Sequence, residues 1–355
     1  MKNIFFIFII SLFVFSASIT LSGCGNGVRT IPAGSLSSYK AYTYTVGNGP
    51  TGIAVAPDGN VWVTNFYDNT VTELSSQGVT LGTYTVGSGP AGIAVAPDGN
   101  VWVADIGSNS TTSSYVTELS SQGVTLGTYI TVGSGPAGIA VAPDGNVWVA
   151  DIGSSIIGYS SVTELSPSGN ILGYIKYAYN TAGYGSKAVA ISPDGNVWVA
   201  NRGTNTPAGV NDSSVTELSP QGVTLGTYIT GGSGPAGIAV APDGNVWVAN
   251  FYDNTVTDLS SQGAVIGVYA AGSGSEPNPD GIAVNPSNGN IWISNWGMGN
   301  VIGNTVTELS PSGSILGTYT VGSGPAGIAV APDGNVWVAN ENSNTVTELV
   351  KTANP

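Results

Sequence analysis

Residues Gly52–Val86 read GIAVAPDGNVWVTNFYDNTVTELSSQGVTLGTYTV. This stretch decides the fold, because the chain repeats it. Its tryptophan returns as Trp62, Trp102, Trp148, Trp198, Trp247, Trp292 and Trp337, at intervals of 40, 46, 50, 49, 45 and 45 residues. A repeat of that length with alternating β-branched residues predicts a four-stranded propeller blade. Ile53–Ala56 and Val61–Thr64 read as the first two strands, joined by Pro57-Asp58-Gly59. There proline presets φ, aspartate caps its own backbone and glycine takes the positive φ. Thr70–Leu74 reads as the third strand and Val79–Val86 as the fourth. No segment beyond the N-terminal apolar run has helical periodicity, so the chain is read as all-β.

The chain ends decide closure. The last unit, Gly327–Leu349, supplies three strands and stops, while Lys40–Val46 (KAYTYTV) repeats the fourth-strand motif upstream of the first unit. Six complete units and one shared unit predict a seven-bladed ring closed by an N-terminal strand, which leaves no open seam. The recurring tryptophans are expected to pack between neighbouring sheets. The acids of the VTEL motifs, from Glu73 to Glu348, are expected to form a hydrogen-bonded ladder.

Ahead of the ring, Lys2 and the apolar Ile4–Val14 form a signal-peptide core, too short to span a bilayer, which takes about 20 residues. Leu21-Ser22-Gly23-Cys24 resembles a bacterial lipobox, and Cys24 is the one cysteine of the chain. The expected organisation is a lipoprotein signal peptide (1–23), a lipidated Cys24 with a flexible tether (24–38) and the propeller (39–355). Acyl chains bury methylenes at about 0.8 kcal/mol each, so a lipid on Cys24 would anchor durably. Resemblance to enterobacterial lipoproteins implies that Gly25, in place of aspartate after the cysteine, directs the protein to the outer membrane of a host that has one, or else to the cell surface. Without Lys2 the charge is 6 − 21 = −15. With no basic cluster, that charge speaks against nucleic acid as a partner. The membrane is met through the anchor alone.

The strings IAVAPDGNVWVAN and NTVTELS resemble NHL and YVTN propeller repeats and the repeats of the virginiamycin B (streptogramin) lyase family. The resemblance implies a seven-bladed propeller. For an active member it also implies histidines, a glutamate and a divalent cation on one face. That glutamate would lie just after the second strand, where this chain has Asn65, Asp105, Asp151, Asn201, Asn250, Asn295 and Asn340. The chain has no histidine. An elimination needs a proton acceptor and an acid, so the family's activity is not carried over.

The connections between second and third strands vary most. From tryptophan to the valine of the third strand takes 9 residues in blades 1, 5 and 7, 14 in blades 2, 3 and 6, and 17 in blade 4. The links Tyr179–Lys187 and Gly272–Asp280 depart from the usual GSGPAG. Both kinds of segment open on one face, where ligand sites on rigid scaffolds gather. Asp105, Asp151, Lys187, Arg202, Tyr115, Tyr159, Tyr184 and Trp296 are the candidate ligand-binding residues there. The leading expectation is a non-catalytic, surface-displayed binding or scaffold module for a protein or glycan. No cofactor is required, although Asp105, Asp151 and Asn201 offer oxygen ligands that suit Ca²⁺ or Mg²⁺. The alternatives are a metal-dependent lyase or lactonase using those ligands, and a structural component of the cell surface or matrix.

Overall fold

Gly59 sits at φ +90°, and the Asp58 carboxylate accepts the Asn60 amide at 2.9 Å, as the chemistry of the turn requires. The turn joins β2 (Pro50–Val55) to β3 (Val61–Asn65). With β4 (Thr70–Leu74) and β5 (Thr80–Thr85) these make an antiparallel sheet in the order β2-β3-β4-β5. The computed structural model describes residues 39–107, 114–153, 159–178, 185–203, 213–272, 277–298 and 301–352. It contains seven such sheets, one for each repeat, arranged as a ring. Among the described residues the one helical element is a 3₁₀ turn at Glu341–Ser343. The proposed signal peptide, Cys24 and the tether to residue 38 lie outside the described residues.

The first strand of each blade starts three residues earlier than the pattern predicts, at Pro50 in blade 1. The link is already extended there, and Pro50 pairs with Asn65 before a bulge that ends at Ile53. First strands neighbour one another around the central channel. The five residues at the heart of each second strand, Val61–Asn65 in blade 1, are buried, because neighbouring blades cover both of their faces; fourth strands form the outer rim. Hydrophobic burial is thus an inter-blade affair. Trp62 and Val71 of blade 1 share a core with Ile93, Val101, Val103 and Leu119 of blade 2, and the same composition recurs at all seven interfaces. All seven repeat tryptophans are fully buried, as expected.

The ladder of acids is a second repeated device, built by the glutamates of six blades; Asp258 of blade 5, one methylene shorter, leaves its Oδ1 without a partner. Glu73 accepts the Asn60 side-chain amide at 2.9 Å and the Tyr84 hydroxyl at 2.9 Å, while the Tyr84 ring stacks on Trp62 at 5.6 Å. The same tyrosine reaches the next blade, where a Cβ on the turn glycine Gly123 would collide with its ring; Gly123 also has φ +75°. A small, left-handed residue is required there on both counts.

Closure reuses these contacts. β1 (Tyr39–Thr45) pairs in register with Thr345–Lys351 of blade 7, as the repeat predicts. Tyr44 donates to Glu348 at 2.8 Å, stacks on Trp337 at 5.6 Å and seats its ring against Gly78 of blade 1. Replacing Tyr44 by alanine is therefore expected to lower stability by about 3 kcal/mol. Phenylalanine, which loses only the hydroxyl, should lower it by about 1 kcal/mol. Urea unfolding should give Tyr44→Phe and Tyr84→Phe equal losses, and a Tyr44→Ala midpoint at the wild-type value would refute closure through this strand.

Candidate functional site

The sevenfold repeat makes the site visible, because equivalent positions can be compared blade by blade. The residue after each second strand donates its amide to the carbonyl of a link residue, at 2.9–3.2 Å in every blade. Phe66, Ile106 and Ile152 hold this position in blades 1–3, and Arg202, Phe251, Trp296 and Glu341 hold it in blades 4–7. One arc of the channel mouth is apolar, and the other is charged and aromatic.

The second residue of each first strand sharpens the asymmetry. It is Thr51, Ala91, Ala137, Ala236 or Ala326 in five blades, but Lys187 in blade 4 and Asp280 in blade 6. These two form an ion pair across the intervening blade 5. Ala236 of blade 5 is buried, whereas Ala91 and Ala137 are partly exposed. The Lys187 ammonium lies 6.0 Å from the Phe251 ring. The Arg202 guanidinium lies over Phe251 at 4.6 Å and Tyr252 at 5.1 Å. Trp296 meets Phe251 at 6.2 Å and donates its indole N–H to Glu341 at 2.8 Å. Burial works to raise the Asp280 carboxyl, but the Lys187 charge and hydrogen bond, with Arg202 behind them, hold it below the usual carboxylate range. Glu341 is pushed up by burial and by Asp280, against the pull of Trp296 and Lys187.

A third departure adjoins these two. Most links place a glycine at φ +61° to +70° two residues before the Lys187/Asp280 position, but blade 6 has Asn278 at φ +41°. Asn278 is buried; its Nδ2 bonds the Phe251 carbonyl at 2.9 Å and its Oδ1 has no hydrogen-bond partner. A strained residue that also leaves a polar atom unsatisfied is a frequent mark of a functional position.

Of the residues singled out from sequence, Lys187, Arg202 and Trp296 assemble here. Tyr184 lies outside the described residues, and of Tyr159 only the backbone, in the strand Tyr159–Leu165, is described. Tyr115 is half-buried at the start of its third strand, beside Asp105 in the ladder. Asp105 and Asp151 do not join the cluster, which corrects the expected grouping. Both are buried inside their own blades. Thr117 donates to Asp105 at 2.6 Å; Thr131, Ser161 and Thr163 donate to Asp151 at 3.0, 2.8 and 3.1 Å. The amides of Gly87 and Gly133 bond them as well. Asn201 is buried likewise, with Ser186 and Thr216 as partners at 3.2 and 2.9 Å. These positions latch each incoming link to the third strand. Among the described residues no three acidic side chains gather as a cation site.

Sequence reading missed Asp280, Glu341, Phe251, Tyr252 and Asn278. The signal for two of them was present, since NPD replaces GPA in the Gly272–Asp280 link. The opposite mouth is uniform by comparison, a cavity of about 330 Å³ lined by residues such as Val141, Ile191, Val240, Val284 and the turn prolines.

The sequence profile of the virginiamycin B lyase family matches residues 31–349. No curated protein matches the chain. A streptogramin B lyase structure superposes with a TM-score of 0.73 at 21% identity, covering 88% of this chain and 98% of that one. A catalytically inactive virginiamycin B lyase from Staphylococcus aureus, with one histidine changed to alanine and quinupristin present, gives 0.71 at 20% identity over 88% and 99%. Hydrazine synthase of Kuenenia stuttgartiensis gives 0.72 at 22% identity over 91% and 99%. At these identities the likeness is one of fold.

Burial raises Asp105 to about 7 and Asp151 to about 6, against the hydrogen bonds that favour ionisation. Because folding raises both values, the folded state holds extra protons between about pH 4 and 7, and this contribution to stability falls as pH rises through that window. Asp105→Asn with Asp151→Asn, which restores the residue of the other blades, should stabilise the protein by about 2–4 kcal/mol at pH 8 and by almost nothing at pH 4. Thermal melts across pH check this; a gain that ignores pH would contradict it.

Proposed function

The chain belongs to the virginiamycin B lyase family, and we propose that it acts as a binding propeller, taking its ligand at the channel mouth between blades 4 and 7. The carrying observation is the Lys187–Asp280 pair, set among Arg202, Glu341, Phe251, Tyr252 and Trp296 in an otherwise repeated frame. Breaking one half of a partly buried ion pair leaves the other charge uncompensated, which is strongly unfavourable. A ligand that brings both an ammonium and a carboxylate can replace both halves together. The aromatic side chains and the Phe66, Ile106 and Ile152 arc then receive an apolar group. A short free peptide with an apolar side chain, which carries both termini, fits this chemistry better than a neutral glycan.

The test is calorimetric titration of the purified protein with leucyl-phenylalanine, its N-acetylated and amidated forms, and a neutral oligosaccharide. The free dipeptide should bind, and blocking either end should weaken it by about ten-fold or more. Lys187→Met with Asp280→Leu should abolish binding. Equal binding of free and blocked peptides, or binding of the oligosaccharide alone, would overturn the peptide assignment.

A metal-dependent lyase or lactonase is the second reading, favoured by the family. The related enzyme loses activity with one histidine, and this chain has none. Glu341, raised by burial and within electrostatic reach of Lys187, is the group placed to accept a proton. Chelator-sensitive turnover of quinupristin with added Mg²⁺, lost in Glu341→Gln, would establish this reading.

We also propose display at the cell envelope, with lipid on Cys24 and residues 24–38 as tether. Cys24→Ala should move the protein from the membrane to the soluble fraction; retention in the membrane would rule the anchor out.

A further inference from the structure

The charges of this acidic chain are distributed unevenly. None of its 21 acidic residues lies on a fourth strand. The face opposite the charged mouth instead carries an exposed ring of turn carboxylates, Asp58, Asp98, Asp144, Asp194, Asp243 and Asp333. The rim between the two faces carries no acid and exposes apolar side chains among threonines. Val79 and Leu81 of blade 1, Val124 and Leu126 of blade 2, and Val223 and Leu225 of blade 4 are 51–61% exposed; blades 3, 5 and 6 expose Leu172, Ile266 and Leu316 at the Leu81 position, each with a branched apolar residue just before it. Single exposed apolar side chains need no explanation, but a band repeated on six blades does.

Blade 7 breaks the band, and it is the blade completed by β1. Tyr39, which stands where blade 1 has Val79, turns inward and meets Trp292 edge-on at 4.9 Å. Lys40 and Ala41 occupy the next two exposed positions. The interruption falls where the preceding 38 residues join the ring.

We propose that this rim is an interface between copies of the chain, which associate edge to edge as a planar layer. The occupant follows from charge. Stacking two discs through their turn faces would bring two acidic rings together, whereas rims meet with no acidic residue on their outer strands. The magnitudes set the form of association. A six-residue strand is about 20 Å long, so one rim contact about 10 Å deep covers roughly 200 Å² per partner, well short of the ~800 Å² of a stable interface. One contact is therefore weak, and several blades per disc must engage, which gives a lateral array in place of a fixed dimer. Tethering to one surface would raise the effective concentration. This inference is independent of the ligand site.

The experiment is sedimentation velocity on the chain from residue 24, carrying Cys24→Ser, from low to several hundred micromolar, at low and high salt. The sedimentation coefficient should rise with concentration, and more so at high salt, where acidic repulsion is screened. Leu81→Lys with Leu126→Lys and Leu225→Lys should lower the association constant by about ten-fold or more. Thr83→Lys with Thr128→Lys and Thr227→Lys, at exposed positions outside any core, should do the same if the leucine variant fails to fold. Both folded variants should keep the wild-type affinity for leucyl-phenylalanine. A wild-type protein that stays monomeric throughout, or folded variants that associate as it does, would overturn the proposal. So would flotation of monomeric wild type with neutral phosphatidylcholine vesicles, which would assign the rim to a bilayer.

Discussion

The structure depends on seating an outer-strand tyrosine over the turn glycine of the following blade, as Tyr44, Tyr84, Tyr129, Tyr228 and Tyr269 do. Within its own blade the tyrosine stacks on tryptophan and donates to glutamate, as in Trp102, Tyr129 and Glu118. Across the boundary its ring excludes any side chain at the glycine, Gly169 in this case. One side chain thus couples the interior of one sheet to the position of the next. Two blades depart from the rule: in blade 6 Tyr319 meets Tyr39 of β1 at 5.1 Å, and in blade 3 Ile175 replaces the tyrosine and leaves Gly222 in ordinary contact with Trp148 and Ile175. The interface survives there because Trp148 and the valines of blade 4 still fill it, which ranks burial above the hydrogen bond in holding the ring.

Much of this was legible in the sequence, since repetition turns a weak strand signal into a strong one. The tryptophan spacing, the PDG turns and the orphan motif at Lys40–Val46 fix blade number and closure without any long-range inference. The channel-mouth cluster was legible only in part, and the reason is geometric. Lys187 and Asp280 are 93 residues apart and belong to blades that do not touch in sequence order. Only the curvature of the ring brings the mouths of blades 4 and 6 within reach. Asp105 and Asp151 misled for a related reason. A carboxylate in place of asparagine looks functional on paper, but the final residue of a second strand points at the third strand and the incoming link in every blade.

Near-identity of the blades concentrates chemical information in the exceptions. Seven equivalent link contacts set a common frame, so Arg202, Trp296 and Glu341 differ from Phe66 or Ile106 in side chain but not in backbone placement. Such a surface can change its chemistry through single substitutions at fixed positions, because no part of the frame depends on those side chains. Membership of the lyase family fits this view. One scaffold carries different chemistries when the mouth is rewritten.

Closure by β1 has a consequence for the history of the ring. Tyr44 engages Trp337, Glu348 and Gly78, and each of these is the local copy of a residue that nearly every repeat carries. The final seam therefore cannot tell how many repeats lie between its two halves. Gain or loss of a whole unit by gene slippage would present the first strand with the same partners, and only the angle available to each wedge would decide whether the new circle shuts. Such a chain can drift in circumference without inventing a new fastening.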